Sequence, residues 1–459
     1  MVSILRLAHT ALDGRPGDAP RHGRSPPAAV DCLLRLLLAL PHIVWLILWT
    51  IAAVLAAIAS WVATLVAGQP PETLHRFLSA FTRYSVQIAA YLFMAANPYP
   101  GFTGEPGYPV EAELPERGRQ ARWKTALRPV LALPAVLVMA AIGSGAIGGG
   151  GGRSGRSGEA DWGFALSSGG LVAVCGFLGW FAALALGRMP NGLRDLAAYG
   201  IGYTAQTYSY LLLLTDRYPN ADPEKVGPAW SLPPHAIGLE VGDDGTRSRL
   251  TVFFRFLLAL PHFVWLALWS VAAILAAFVN GIHALIRGRS ARPLHRFLVA
   301  YVRYSAHVTA FVTLVGGRFP GFTGEPGYPV DVTTPDLERQ SRWVTFFRGI
   351  LVLPAFLVSG GYAGALFVVG FLGWFASLVT GRMPTGLQKL GVVSVRYLAQ
   401  TNAYWLIVTD DYPYASPALR PPADEPELEV EPELDPELDG PELDSPELDR
   451  PEHDGGVTG

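Results

Sequence analysis

The sequence predicts an all-α polytopic membrane protein of four repeated units, each an apolar helical hairpin or long span followed by an amphipathic Arg/Tyr-bearing helix. Three observations predict it. Charge is scarce: 16% of the 459 residues are charged and 50% hydrophobic, with a mean hydropathy of +0.29, where soluble domains carry about 25% charged residues. The apolar runs are long: residues 36–67 contain one His and no charged side chain, and a bilayer span needs about 20 such residues. Finally, the chain repeats itself.

"GFTGEPGYPV" occurs at 101–110 and unchanged at 321–330, and "RQARW" at 119–123 matches "RQSRW" at 339–343. Both offsets are 220, and each half divides again. Every quarter opens with an arginine six residues before a proline: Arg35, Arg128, Arg255 and Arg348, before Pro41, Pro134, Pro261 and Pro354. Every quarter closes its apolar run at a glycine: Gly68, Gly187, Gly288 and Gly381. An aromatic ladder with spacings of 7 and then 8 follows each time, as in Tyr84, Tyr91 and Tyr99. The organisation is therefore a disordered N-terminal segment (1–29), unit 1 (30–116), unit 2 (117–220), a linker (221–246), unit 3 (247–335), unit 4 (336–415) and a disordered acidic tail (416–459).

From proline to closing glycine is 27 residues in units 1, 3 and 4 but 53 in unit 2, which carries a Gly/Ser-rich insertion at about 143–168. Insertions survive where backbone is exposed, so each run reads as a bent hairpin of two helices. The alternative is one tilted span, with the next helix crossing back. In the hairpin reading the boundary arginines snorkel toward headgroups, and the basic ends of each run share one, cytoplasmic face.

Between closing glycine and Tyr-Pro lies a helix with a polar stripe at helical spacing. In unit 1 it carries Arg76, Arg83 and Gln87; in unit 3 Arg296, Arg303 and His307; in unit 4 Arg396 and Gln400, with Lys389 near the position of Arg76. Unit 2 departs, with Gly202 in place of the arginine and Gln206 retained. These residues are candidates to meet anionic lipid headgroups or to line a polar cavity. His42 and His262, after their prolines, read as hydrogen-bond partners. Packing explains "GFLGWFA" at 176–182 and 370–376, whose glycines let helices approach closely.

No catalytic motif is present: there is no GxxxxGK[ST], HExxH, CxxC or GxSxG, and no metal-ligand spacing. Cys32 and Cys175 indicate no disulfide framework. No cofactor, no metal, no nucleic-acid partner and no enzyme activity are expected. Asp216, Asp410 and Asp411 read as turn residues at helix ends. From Asp424 to Asp454, 15 acidic residues face Arg450 alone, leaving the rest of the chain basic. That tail reads as a solvated spacer or an arm for a basic partner.

Arg-x5-Pro-His, Gly-Arg-Met-Pro (187–190 and 381–384), the Arg-Tyr helix and the terminal Tyr-Pro together resemble a bacterial membrane family, domain of unknown function 4389, in four tandem copies. The resemblance covers roughly 30–110, 117–220, 247–330 and 339–415; units 2 and 4 depart by having Ala135 and Ala355 where the histidine stands. It implies a multi-pass protein of the bacterial inner membrane, of unassigned activity. The expected role is non-enzymatic, in envelope organisation or lipid association, with both termini cytoplasmic. The alternative is a transporter or channel whose polar site is lined by the repeated arginine helices.

Overall fold

The computed structural model describes residues 5–7, 29–143, 170–227, 230 and 232–419. The Gly-rich insertion of unit 2, apart from Gly143, and the acidic tail beyond 419 lie outside the described residues. The described chain is mostly helical, with two short antiparallel ribbons.

Unit 1 comprises α1 (Ala29–Ala67) and α2 (Glu72–Leu92); unit 2 comprises α3 (Arg122–Leu131), α4 (Leu133–Ile142), α5 (Gly170–Leu186) and α6 (Asn191–Leu211). After α7 (Pro223–Val226) and α8 (Arg249–Phe253), unit 3 continues with α9 (Arg255–Arg287) and α10 (Arg292–Val312). Unit 4 is α11 (Arg342–Leu351), α12 (Leu353–Thr380) and α13 (Thr385–Trp405).

The hairpin expectation is corrected: α1, α9 and α12 are each one continuous helix, long and apolar enough to cross a membrane. In α1 and α9 the proline lies inside the helix, and Tyr99 Oη approaches the Leu38 carbonyl beside Pro41 at 3.4 Å. In the even units the helix does break just before the proline, at Ala132 and Val352, and α3 and α4 meet at 43°. Gly288 and Gly381 end their helices in the left-handed conformation (φ 68° and 72°), which glycine reaches without Cβ clash. The run's start and end thus lie at opposite helix ends, which removes the shared basic face.

The ribbons come from segments expected to be unstructured or linking. β1 (Leu5–Leu7), within the N-terminal segment, pairs with β2 (Val110–Ala112). β3 (Gly238–Val241), within the linker, pairs with β4 (Val330–Thr333).

Three layers result. The Tyr helices α2, α6, α10 and α13 form the middle, α2 against α6 and α10 against α13, with Tyr84, Tyr203, Tyr304 and Tyr397 buried. The apolar helices pack on one side of them and the ribbons on the other. Close packing is visible at the GFLGWFA glycines, where a Cβ on Gly176 would stand 2.5 Å from Phe93 and one on Gly373 2.7 Å from Met383. The apolar layer is bare outside: only 17% of the most apolar windows of α1 and α9 is buried.

Candidate functional site

The boundary arginines turn inward. Arg35, Arg128, Arg255 and Arg348 are 6, 2, 1 and 3% exposed, so the snorkelling expectation is corrected. Each guanidinium lies over the ring of Tyr91, Tyr210, Phe311 or Tyr404, at 4.4, 4.5, 4.3 and 4.6 Å respectively. Each also donates to carbonyls at the end of its own Tyr helix. Arg35 reaches Ala96 and Asn97 at 3.1 and 3.2 Å, and Arg255 reaches Gly316 and Gly317 at 3.3 and 3.2 Å. Arg128 bonds Tyr210, Thr215 and the Asp216 carboxylate; Arg348 bonds Tyr404, Thr409 and the Asp410 carboxylate. The last turn of a helix leaves carbonyls unsatisfied at the negative end of its dipole. A cation placed there, with an aromatic face beneath it, has partners inside the protein.

Those helix ends share a turn. Met94, Leu213, Leu314 and Ile407 all have φ of 61–62°, a conformation side-chain-bearing residues seldom adopt. The carbonyls of Leu213, Leu314 and Ile407 accept from the side chains of Gln120, Arg247 and Gln340. Each of these donors stands eight residues before a boundary arginine. Their backbone N–H groups bond the partner unit's closing glycine: Gln120 to Gly68 at 2.8 Å, Gln340 to Gly288 at 3.0 Å and Arg247 to Gly381 at 2.8 Å. Arg342 likewise bonds Ile286 and Arg249 bonds Val379. Units 3 and 4 therefore pair head to tail, each beginning where the other's apolar helix ends.

The polar stripe does not converge on one site. Arg76 is exposed and pairs with Glu72 at 2.6 Å, and Arg296 is exposed. Arg303 pairs with Asp331 at 3.2 Å, and His307 Nε2 lies 2.9 Å from the same carboxylate. Burial alone would raise the Asp331 carboxyl, but bonds from His307, Gly327 and Val332 outweigh it and hold the group below its ordinary value. Gln87 donates to Glu105 O, Gln400 to Ile237 O, and Arg396 to Ser416 and Ala418 carbonyls. These side chains fasten the ribbon layer to the Tyr helices. Arg83 alone of the stripe's inward arginines makes no hydrogen bond or ion pair among the described residues. It lines a cavity of about 510 Å³ with Glu111, Glu113, Thr215 and Arg217.

His42 and His262 sit within the aromatic layer, their Nδ1 atoms 2.8 Å from the Tyr84 and Tyr304 hydroxyls. Their rings stack on Phe102 and Phe322, whose carbonyls accept from Trp45 and Trp265. The repeated GFTG loop is thereby clamped to the apolar helix.

The family model described as Domain of unknown function (DUF4389) matches residues 30–103, 163–221, 249–323 and 342–416, more than half of the chain. The chain belongs to this family. No curated protein and no solved structure matches it.

The DUF4389 units alternate between two designs. Units 1 and 3 carry the histidine and put Asn97 or Gly317 at the helix end; units 2 and 4 carry Ala135 or Ala355 and put Asp216 or Asp410 there. The aspartates had read as turn residues, yet each is the ion-pair partner of a boundary arginine. Their co-occurrence with alanine after the proline was the available signal. Gln120, Arg247 and Gln340 fall outside the DUF4389 segments and were missed, although their constant spacing from the arginine was in view.

Proposed function

We propose that the chain is an integral protein of the bacterial inner membrane that acts without catalysis, in envelope organisation or lipid association. One observation carries this reading. Large apolar side chains along α1, α9 and α12, among them Leu55, Val271 and Phe367, face outward with no protein against them. Soluble monomers rarely expose apolar patches beyond a few hundred Å², so lipid is the solvent that suits this layer. Arg76 and Arg296, exposed at the starts of their helices, are the stripe residues positioned for anionic headgroups.

Multi-pass crossing, expected from the apolar runs, is one way to seat these helices. With paired units returning the chain to its starting end, both termini share one side, the cytoplasmic one. A transport site along the arginine helices is the weaker reading, because Arg303, Arg396, Gln87 and Gln400 are already bonded. Carbonate washing of membranes tests the proposal: the full chain should stay in the pellet, and its release would overturn lipid embedding. Alkaline phosphatase fused to either terminus should be inactive; activity at one terminus alone would overturn the shared side.

A further inference from the structure

Resting on that membrane reading, we infer that the protein is seated in one leaflet, with its apolar layer lying along the membrane plane and its ribbons in water, and does not cross the bilayer.

The layers supply the first argument. The ribbons and GEPGYP segments run beside the Tyr helices: Gly104 lies against Ala80 and Tyr84 midway along α2, Glu105 beside it is exposed, and Arg83 opens with Glu111 onto the cavity described above. A crossing orientation would hold these charges and their backbone beside hydrocarbon along the length of α2, where unsatisfied polar groups cost several kcal/mol each. An in-plane orientation leaves them all on the water side.

Length is the second. Apolar side chains are bare from Phe256 to Ile286 on α9, a stretch of about 45 Å at helical rise. The hydrocarbon core is about 30 Å thick. To fit by crossing, the helix would tilt beyond the usual limit of about 40°. Lying flat sets no limit.

Pairing is the third. Gln340 with Gly288 and Arg247 with Gly381 make units 3 and 4 exchange ends. The exchange carries apolar helix onto apolar helix and Tyr helix onto Tyr helix, so its pseudo-twofold axis stands perpendicular to the layers. In a crossing protein that axis would lie in the membrane, and the exposed Arg289 and Arg382 would emerge on opposite faces, against the positive-inside tendency. In the one-leaflet seating they lie at the same depth, among headgroups.

The test places single cysteines at these two positions, Arg289→Cys and Arg382→Cys, in full-length protein lacking Cys32 and Cys175. A membrane-impermeant maleimide is applied to intact spheroplasts and to inverted vesicles. One-leaflet seating predicts that both positions label in inverted vesicles and that neither labels from outside. Labelling of one position from each side would overturn it. A spin label at Leu268 and another at Ile286, five full helical turns apart and so on one face, should report equal depth; a label markedly deeper at Leu268 would also overturn it. Carbonate resistance, measured on the same variants, separates failure of this seating from failure of membrane embedding itself.

Discussion

Arg348 and Asp410 form an ion pair between the last turn of α11 and the loop that follows α13, with the guanidinium side chain 3% exposed. The same cation caps the carbonyls of Tyr404 and Thr409. Replacing Arg348 with Met removes the cation: Asp410 keeps only the Ser341 N–H, Tyr404 O only the Ile407 N–H, and the Thr409 carbonyl loses its side-chain donor. Breaking one side of a buried pair costs about 3–5 kcal/mol. Arg348→Met should therefore lower the unfolding midpoint strongly, while Asp410→Asn should cost less because the carbonyl bonds survive. Thermal unfolding of both variants in nanodiscs checks the order, and equal losses would refute it.

Gly324 and Gly327 separate two kinds of glycine requirement within one loop. Both have positive φ, 66° and 97°. A Cβ on Gly324 would stand 2.2 Å from the Ala300 carbonyl of α10, whereas one on Gly327 meets open space. Gly327→Ala should cost only the backbone penalty, about 1–2 kcal/mol. Gly324→Ala must also push the GFTG loop off the helix, and should be clearly worse. Unfolding of the two variants under one condition decides it.

The loop-to-helix contact at Gly324 also shows what a sequence can and cannot disclose. The fourfold repeat, the helix boundaries at glycine and the polar stripe follow local patterns of period 3.6 or fixed spacing, and all were legible. Whether the run after Arg35 folds back was not. Proline can end a helix or sit inside it, and the same Arg-x5-Pro spacing precedes both outcomes, at Pro134 and at Pro41. The role of Arg348 was misread because its partner Asp410 lies 62 residues away. An arginine beside an apolar run looks free until the far end of the unit folds over it.

Asp331 gives the fold a dependence on acid. Its folded-state carboxyl lies below the ordinary value of 3.8. A carboxylate depressed by folding stabilises the protein above its unfolded pKa, and that contribution is lost as pH falls through the folded one. The loss should therefore begin only below about pH 4. Asp331→Asn should flatten this acid limb and leave the neutral range lower and level. Unfolding midpoints between neutral and acid pH for both proteins provide the measurement; an unchanged acid limb would show that Asp331 does not set it.

Leu257, Leu268 and Ile286 are 61, 63 and 66% exposed near the start, middle and end of α9 and lie along one face of it, so they differ chiefly in position. If α9 crossed the bilayer, arginine at Leu268 would sit near the hydrocarbon centre at about 2.5–3.5 kcal/mol, and arginine at either end would cost little by snorkelling. If α9 lies along one leaflet, all three positions share a depth and the cost profile is flat. In water, such exposed substitutions would each stay within about 0.5 kcal/mol. The fraction of each variant retained in carbonate-washed membranes measures the profile. We expect three similar losses, because the bare face of α9 is continuous from end to end and these three side chains share one azimuth on it.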